Sequence, residues 1–345
     1  MRDVGKQLTV DALAMRPPMT GVPTLIAEIL RALETHAPDV RLSVWRPFRG
    51  MPRLLRIFFE QLIIPLAVRT KVLLAPAYVA PLLTRHEVWL VVHDLHVYTH
   101  PETCSRLNRW HYRLLMPRSL RKARRVFVMS EHVRKIVATR FPHVARKLEL
   151  LPVGIPHDIS FVADAAACHD FRKRCGLPEK FFLFIGSLHP RKNLPRLMEA
   201  VLQLSDDAVL VIAGPQGKDA KRVECLTRAL PQRFRLLNFV PQNEMALLYS
   251  SARALVLPSL DEGLGLPVLE ALACHCPVLA TPGPAQEFFP EALICNPLSV
   301  DSLANALRRM WQDDDLCHAL SEKAATRAKH FSWQNTARVI MEAPC

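Results

Sequence analysis

The stretch KFFLFIGSLHPRKNLPRLMEAV (residues 180–201) contains a strand pattern, a polar loop and a helix pattern in immediate succession. A short, continuous apolar run bounded by turn residues is typical of a strand buried on both faces of a parallel sheet. The loop that follows it ends where the pattern LPRLMEAV indicates a helix. This order of elements predicts an α/β fold.

The same alternation runs along most of the chain. It predicts a first helix over residues 24–36 and strands in the segments 8–15, 88–95, 124–130, 147–155, 180–188, 208–217, 235–241, 252–259 and 276–283. Strand, loop and helix repeated in this order predict parallel sheets with helices on both faces. Ligands of such sheets bind at the carboxyl ends of the strands.

A polar passage at residues 158–178 interrupts the alternation, which then restarts near residue 180. A chain of 345 residues, half of them apolar, suggests two domains. We therefore predict two doubly wound domains that face one another, an N-terminal domain over residues 1–165 and a C-terminal domain over 166–325. Residues 326–345 are predicted to form a helix that packs back on the first domain.

The cysteines and acidic runs favour no metal site. Nine scattered cysteines include one close pair, Cys274 and Cys276, and these face opposite ways if one ends a helix and the other begins a strand. The run Asp313, Asp314 and Asp315 precedes a helix pattern and lies far from any strand end. Helix capping in solvent is the better interpretation of that run.

The net charge of +13 is concentrated in the N-terminal half. Residues 1–170 hold 25 Lys and Arg against 14 Asp and Glu, which gives +11. Eight of these cations fall between Thr103 and Ser130, a stretch without any acid. The basic surface suits an anionic lipid or a nucleic acid, and a solvated helix face is the alternative. The N-terminal sequence resembles neither a signal peptide nor a membrane-spanning helix, so we expect a cytosolic protein.

Arg191 and Lys192 lie in the loop after the strand at 180–186, directly before a helix. Cations at the start of a helix oppose the helix dipole, which favours a functional role over a structural one. Arg offers a fork of donors and Lys a point charge, so the pair is suited to a diphosphate. An ordinary charged helix start is the alternative.

The segment DEGLGLPVLEALACHCPVLAT (residues 261–281) follows the strand at 252–259 and contains two glutamates eight residues apart. Pro267 suits the first helical position, so the amides of Gly265 and Leu266 would point out of the helix at a ligand. Glu262 is then expected in the loop and Glu270 about one turn inside the helix. A carboxylate in an apolar helix needs a polar partner, and vicinal hydroxyls of a sugar or ribose would provide one.

Two further candidates lie in the first half. His93 ends the strand VVHDL, and Gly21 lies in the first strand-to-helix loop, MTGVP. A histidine at a strand end is more often structural than catalytic. Gly21 permits either a close backbone approach to a ligand or simply a turn.

Together these motifs resemble the family 4 glycosyltransferases, which have the two-domain GT-B fold. The resemblance covers nearly the whole chain, in the order MTGVP, VVHDL, VFVMSEHVRKIV, FIGSLHPRKNLPRLMEA, LVIAGPQG, FVPQNEMALLYSSA, EGLGLPVLEALA and FSWQNTA. The E-x7-E element of Glu262 and Glu270 is specific in combination with PRKN.

In such enzymes the second glutamate of E-x7-E binds the ribose of a nucleotide sugar, and the first lies near the donor sugar. The resemblance therefore implies a ribose contact for Glu270 and a place at the reacting sugar for Glu262. It likewise implies that His93 is the strand-end histidine near the transferred sugar and that Gly21 is the loop glycine of the donor site.

The resemblance also implies that Arg191 and Lys192 hold the leaving diphosphate, helped by the amides of Gly265 and Leu266. Members of the family retain the configuration of the sugar and generally use no metal. Cations and helix amides perform electrostatically what a metal would do for the leaving group. We therefore expect no cofactor, with a nucleotide-diphospho-sugar as donor substrate.

Three positions depart from the family pattern, namely Val153 in place of an asparagine and Asn238 and His275 in place of glycines. The last two affect turn geometry. None of the three departures removes a proposed chemical group.

We predict a retaining hexosyltransferase that uses a nucleotide-diphospho-sugar, with GDP-mannose as first candidate. The acceptor would be a saccharide or lipid-linked saccharide in cell-surface polysaccharide or O-antigen synthesis, reached at the inner face of the membrane. A sugar epimerase or phosphorylase on the same fold is a second prediction, against which the short chain and the E-x7-E element argue. A nucleic-acid-binding protein is a third, against which the lack of aromatics among the arginines argues.

Overall fold

The computed structural model describes residues 7–16 and 21–342. The chain divides into two compact units, one formed by Met1–Gly154 with Ser332–Cys345 and the other by Ile155–Phe331. The sequence pattern predicts boundaries at 165 and 325, and the division by contacts falls at 154 and 331. The passage predicted as a linker contains a helix of the second unit, Ala165–Arg174, in which Cys168 and Phe171 are buried.

The strands of the first unit, in the part of the chain that is described, are β1 (Gln7–Asp11), β2 (Arg41–Trp45), β3 (Val72–Ala75), β4 (Glu87–Val92), β5 (Arg125–Val128) and β6 (Leu148–Leu150). Its helices before the second unit are α1 (Val22–His36), α2 (Arg53–Phe58), α3 (Ile64–Ala67), α4 (His96–Thr99), α5 (Arg106–Lys122) and α6 (Glu131–Arg140). A π-helical turn, Phe59–Ile63, joins α2 to α3, and 3-10 turns occupy Pro101–Thr103 and Pro142–Lys147.

All strands of this sheet pair in parallel, in the order β2-β1-β3-β4-β5-β6. The chain therefore reverses its winding direction between β1 and β3, where such sheets bind ligands. After their first residues, Glu87 and Arg125, β4 and β5 are continuous apolar runs that are fully buried, as expected for strands covered on both faces.

The second unit begins with α7 (Ala165–Arg174). Its described strands are β7 (Phe182–Ile185), β8 (Leu210–Ala213), β9 (Phe234–Asn238), β10 (Ala254–Leu257), β11 (Val278–Ala280) and β12 (Leu293–Ile294). Its further helices are α8 (Leu194–Val201), α9 (Ala220–Ala229), α10 (Gln242–Ser251), α11 (Leu266–Ala273), α12 (Pro284–Phe288), α13 (Val300–Gln312) and α14 (Asp314–Ala328), and a 3-10 turn lies at Pro190–Lys192.

This sheet is also parallel, in the order β12-β11-β10-β7-β8-β9. Counted from its first strand, this is the doubly wound order of the Rossmann fold, with the reversal between β7 and β10. The prediction of two parallel, doubly wound sheets is confirmed. The strands β2, β3 and β12 were not predicted from the sequence pattern.

The last helix, α15 (Trp333–Met341), belongs to the first unit and contacts α1. Thr336 donates a hydrogen bond of 2.5 Å to the carbonyl of Pro152. A Cβ atom on Gly154 would come within 2.5 Å of the Trp333 amide nitrogen, so the contact requires glycine there. Within the described residues, no helix is long and apolar enough to span a membrane.

Arg125, at the start of β5, joins α15 to the sheet and is 6% exposed. Its guanidinium donates to the carbonyls of Val339 and Ile340, each at 3.2 Å, and to both carboxylate oxygens of Glu149. It also lies 4.4 Å from the centre of the Phe127 ring. Removal of the guanidinium would leave buried carbonyls without donors.

We therefore expect Arg125→Met to lower the free energy of unfolding of the first unit by about 2–4 kcal/mol. Arg124→Met, at the exposed neighbouring position, is the matched control and should change it by less than about 0.5 kcal/mol. Urea unfolding followed by tryptophan fluorescence measures both. Equal midpoints for the two variants would show that α15 does not depend on Arg125.

Candidate functional site

The loops after β7 and β10 meet where the second sheet reverses its winding direction. The amide of Leu260 donates to the carbonyl of Arg191 at 2.9 Å, and the side-chain amide of Asn193 donates to the carbonyl of Pro258 at 3.0 Å. Asn193 has a left-handed backbone, with φ of 57°, and ends the 3-10 turn directly before α8. The two predicted donor-site segments are therefore joined by hydrogen bonds at the carboxyl ends of their strands.

An ion pair connects these loops through side chains as well. The ammonium of Lys192 donates to Oε1 of Glu262, which also accepts from Ser259 Oγ at 2.6 Å. Arg191 Nη1 donates to the Asp261 carbonyl at 2.7 Å and lies 3.4 Å from Glu262 Oε2. Only 10% of the Lys192 side chain and 14% of the Glu262 side chain are exposed.

These neighbours set the charge state of Glu262. Burial would raise the pKa of its carboxyl, but the charges of Lys192 and Arg191 and the hydrogen bonds from Lys192 and Ser259 act in the opposite direction. The net effect is a pKa below the ordinary value of 4.5. Glu262 is therefore a carboxylate at neutral pH. It pairs with Lys192 and Arg191, the two cations that the sequence analysis predicted to bind a diphosphate.

Helix α11 starts close to this ion pair, since its N-cap Gly265 follows Glu262 by three residues and lines the same pocket. Gly265 is the N-cap, with φ of 74°, and no side chain caps the helix. Leu266 occupies the first helical position and Pro267 the second, so the helix begins one residue earlier than predicted. The Leu266 amide has no acceptor inside the helix. A small pocket at this point is lined by Leu257, Glu262, Gly265, Thr281, Pro282, Pro284 and Ala285.

Glu270 lies at the fifth position of α11, and its polar partner is Tyr249 of α10. The Tyr249 hydroxyl donates to Glu270 Oε2 at 2.5 Å, and Tyr249 is fully buried. Burial raises the pKa of the Glu270 carboxyl, and the Tyr249 hydrogen bond opposes that rise. Glu270 is partly exposed, and its Oε1 accepts no hydrogen bond from a described residue. Tyr249 was not predicted, since only its helix pattern is visible in the sequence.

His93 follows β4 in the first unit and is 3% exposed. Its Nε2 lies 2.6 Å from the Pro76 carbonyl, an acceptor, so this nitrogen carries the proton. Burial lowers the pKa of the imidazole, so the ring is neutral. Its Nδ1 is buried and has no hydrogen-bond partner among the described residues. The ring packs edge-on against Tyr78, whose hydroxyl donates to Asp94.

Gly21 precedes α1 with φ of 62° and ψ of −120°. A Cβ atom at this position would meet no other atom within 4 Å, so the backbone angle and not crowding favours glycine. Met19 and Thr20 of the same loop lie outside the described residues. A ligand role for Gly21 stays a prediction.

The aspartate run at 313–315 caps a helix, as predicted. Asp313 is the N-cap of α14 and accepts from the Leu316 amide at 2.8 Å. Asp314 pairs with Arg253 at 2.5 Å and with Lys180 at 3.6 Å. Within the described residues, no cluster of His, Cys, Asp and Glu is arranged to bind a metal ion.

The two glutamates should affect stability with opposite pH dependences. The depressed pKa of Glu262 means that its contribution is complete above pH 4.5 and is lost as the pH falls through the folded-state pKa. The raised pKa of Glu270 means that its contribution is complete below pH 4.5 and is lost as the pH rises through the folded-state pKa.

We therefore expect Glu262→Gln to destabilise the second unit by about 2–4 kcal/mol near pH 7, and by less near pH 4, because it removes the negative charge that is paired with the nearly buried Lys192. Between about pH 4 and pH 7, the stability of Glu270→Gln should increase relative to that of the wild type. Thermal unfolding of the three proteins between these pH values tests both signs. The same pH trend in both variants would contradict the assigned charge states.

Comparison with known proteins gives three related results. Residues 170–327 match the family model described as glycosyl transferases group 1. O-antigen chain mannosyltransferase B of Escherichia coli is 27% identical over 251 residues, covering 70% of this chain and 66% of that protein. O-antigen chain mannosyltransferase RfbU of Salmonella typhimurium is 27% identical over 230 residues, covering 66% of this chain and 61% of that protein.

D-inositol 3-phosphate glycosyltransferase of Corynebacterium urealyticum is 31% identical over 193 residues, covering 51% of this chain and 46% of that protein. The matches to these three proteins thus span about half to two thirds of their lengths.

Solved structures resemble the chain over its whole length. Sucrose-phosphate synthase from Thermosynechococcus elongatus superposes with a TM-score of 0.77 at 19% identity, over 98% of both chains. The structure of Anabaena HepE in complex with UDP and glucose superposes with a TM-score of 0.76 at 18% identity, again over 98% of both chains. At this identity the likeness establishes the fold. Residues 170–327 are thus similar to the glycosyltransferase group 1 family, and the chain has the GT-B fold of the solved structures.

Proposed function

We propose that the protein is a retaining hexosyltransferase that takes its sugar from a nucleotide-diphospho-sugar bound by the second unit. The observation that carries the proposal is the convergence of Lys192, Arg191 and the start of α11 at the reversal between β7 and β10. Two cations and a free helix amide form a receptor for a diphosphate. The open oxygen of Glu270 lies on the same helix.

The diphosphate would compete with Glu262 for the two cations. Lys192 has three donors and Arg191 has five, so a diphosphate can accept hydrogen bonds from them in place of the carboxylate. Both cations are held in place before the donor arrives. Preorganised positive charge stabilises the negative charge that develops on a leaving diphosphate, and we propose that the transfer needs no metal.

Glu270 is proposed to bind the ribose. Its Oε2 holds the Tyr249 hydrogen bond, and its Oε1 is open to accept a hydroxyl. A carboxylate accepts two hydrogen bonds from vicinal hydroxyls, and the fixed Oε2 orients the other oxygen. Glu262 would act chiefly by positioning Lys192. The placement of His93 near the transferred sugar stays a prediction.

Mannose from GDP-mannose is our first proposal for the donor. Two of the relatives bear the name O-antigen chain mannosyltransferase, which supports a mannosyl donor and a saccharide or lipid-linked saccharide acceptor. The name of a third, D-inositol 3-phosphate glycosyltransferase, supports glycosyl transfer without naming mannose. Assembly of a cell-surface polysaccharide at the inner face of the membrane would fit these acceptors.

A thermal-shift screen against GDP-mannose, UDP-glucose and related nucleotide sugars tests the donor. At a ligand concentration of about 100 times Kd, binding to the folded state alone stabilises by about 2.7 kcal/mol, which raises Tm by several degrees. GDP-mannose should produce the largest shift. A larger shift with a UDP-sugar would contradict the donor, and no shift with any nucleotide sugar would contradict the activity.

Single substitutions test the proposed contributions of Lys192 and Glu270 to binding of the nucleoside diphosphate. Lys192→Met and Glu270→Gln should each weaken binding of the nucleoside diphosphate about 10- to 100-fold, since each removes a charged hydrogen bond. Asp314→Asn, on exposed α14, is the control and should bind as the wild type does. Isothermal titration calorimetry measures all three. Wild-type affinity in both site variants, or transfer abolished by a chelator, would contradict the assigned roles.

Tyr249→Phe tests the orientation of Glu270 without a change of charge. The variant loses the only hydrogen bond to Oε2 that a described residue donates, and the pKa of Glu270 should rise further. We expect a several-fold increase in KM for the donor with nearly unchanged kcat, and an acid limb of donor binding that moves to higher pH. Tyr98→Phe in the first unit is the control. A fall in kcat alone would contradict a positioning role.

A further inference from the structure

The helical segment between β2 and β3 exposes large apolar side chains on one face. Leu54, Phe58, Leu62 and Leu66 are 70%, 47%, 43% and 86% exposed, and they recur at every fourth position. We call these four residues the apolar stripe. The opposite face of the segment contributes buried residues such as Ile64 to the core. A continuous exposed row of this kind, unlike a single surface leucine, marks an interaction surface.

The π-helical turn at Phe59–Ile63 keeps the stripe on one face. In an α-helix with 3.6 residues per turn, every fourth residue drifts by about 40° around the axis. A π-helical turn is wider and shifts the phase in the opposite direction. The interruption between α2 and α3 therefore aligns Leu54 with Leu62 and Leu66, although it weakens the helix.

The exposed charged residues of the segment and its immediate flanks are all cations. Residues 46–71 contain six Lys and Arg and one acid, Glu60, which is buried. The exposed cations flank the stripe at both ends, as Arg46 and Arg49 before it and Arg69 and Lys71 after it. An apolar row bordered by cations, with no exposed acid on the segment, matches an anionic lipid surface in both charge and hydrophobicity.

Neighbouring elements of the same unit extend this surface. The side-chain amide of Gln61 donates to the Ala80 carbonyl and accepts from the Leu82 amide, each at 3.1 Å. The backbone amide of Ala80 in turn donates to Ser119 Oγ of α5, at 3.0 Å. The segment, the loop with exposed Leu83 and helix α5 are therefore adjacent.

The winding of the sheet explains this adjacency. The connections from β2 to β3 and from β4 to β5 run in the same direction across the sheet, so right-handed crossovers place the segment and α5 on one face. Helix α5 contributes six cations, no acid, and the exposed Leu107 and Trp110. Trp at such a position suits the interface between water and lipid.

We propose that the apolar stripe inserts into the surface of an anionic bilayer, with the cations of the segment and of α5 against the lipid headgroups. The basic charge of α5 accounts for attraction to the membrane but not for insertion. The stripe supplies the apolar area that holds the protein in the interface. Neither observation depends on the identity of the donor, so the inference stands apart from the proposed transfer reaction.

Vesicle co-sedimentation tests the proposal with the full chain. We expect binding to phosphatidylcholine vesicles that contain about one third phosphatidylglycerol, and little binding to phosphatidylcholine alone. The double variant Leu62→Gln/Leu66→Gln should bind the anionic vesicles at least about tenfold more weakly. Arg69→Gln/Lys71→Gln should weaken binding near 0.1 M salt and have little effect near 1 M, where charges are screened.

The matched control is Leu202→Gln/Leu298→Gln in the second unit, where the two leucines are 42% and 68% exposed. It should bind vesicles as the wild type does. Thermal unfolding of each variant shows that the fold is retained. Unchanged vesicle binding in the stripe variant would overturn the proposal. So would self-association in the absence of lipid that only the stripe variant abolishes, because the stripe would then contact a second copy of the chain.

Discussion

The ion pair of Lys192 and Glu262 is the constraint on which the candidate site depends. Both side chains are nearly buried, and each would carry a large desolvation cost without the other. Their contact, with the Leu260 amide on the Arg191 carbonyl, fixes the loops after β7 and β10 against one another. The start of α11 is attached to one of these loops, so the same contact positions its free amides.

The two glutamates of the E-x7-E element then differ through their surroundings alone. Glu262 meets two cations and a hydroxyl, which lower its pKa, whereas Glu270 meets one tyrosine hydroxyl in an apolar helix, and burial raises its pKa. The Glu262 carboxylate pairs with cations, whereas Glu270 has one oxygen, Oε1, that accepts no hydrogen bond from a described residue. The sequence spacing places them on a loop and a helix, and the partners give them separate tasks.

Much of this arrangement was visible in the sequence because it depends on local patterns. Strands β7 and β10 are short apolar runs ended by polar loops, and parallel winding brings such ends to one edge of a sheet. Asn238 and His275, which stand where the family pattern has glycine, both have positive φ, at 54° and 55°. Asparagine and histidine are among the residues that tolerate this conformation best.

The rest depends on contacts between distant residues. The hydrogen bond from Tyr249 to Glu270 joins helix α10 to helix α11. Nothing in the sequence pattern of α10 distinguishes Tyr249 from an ordinary core residue. β2 was missed because it is a half-exposed edge strand that mixes charged and apolar residues, and β3 because it is only four residues long. The passage at 158–178 reads as a linker because α7 is a mostly polar helix that buries few side chains, Cys168 and Phe171.

A crystal structure of the protein with a bound nucleoside diphosphate tests the account most directly. We predict phosphate oxygens within hydrogen-bonding distance of Lys192 Nζ and the Leu266 amide, and a ribose hydroxyl on Glu270 Oε1 with the Tyr249 hydrogen bond retained. A diphosphate bound away from the reversal between β7 and β10, with the Lys192 and Glu262 pair untouched, would contradict it.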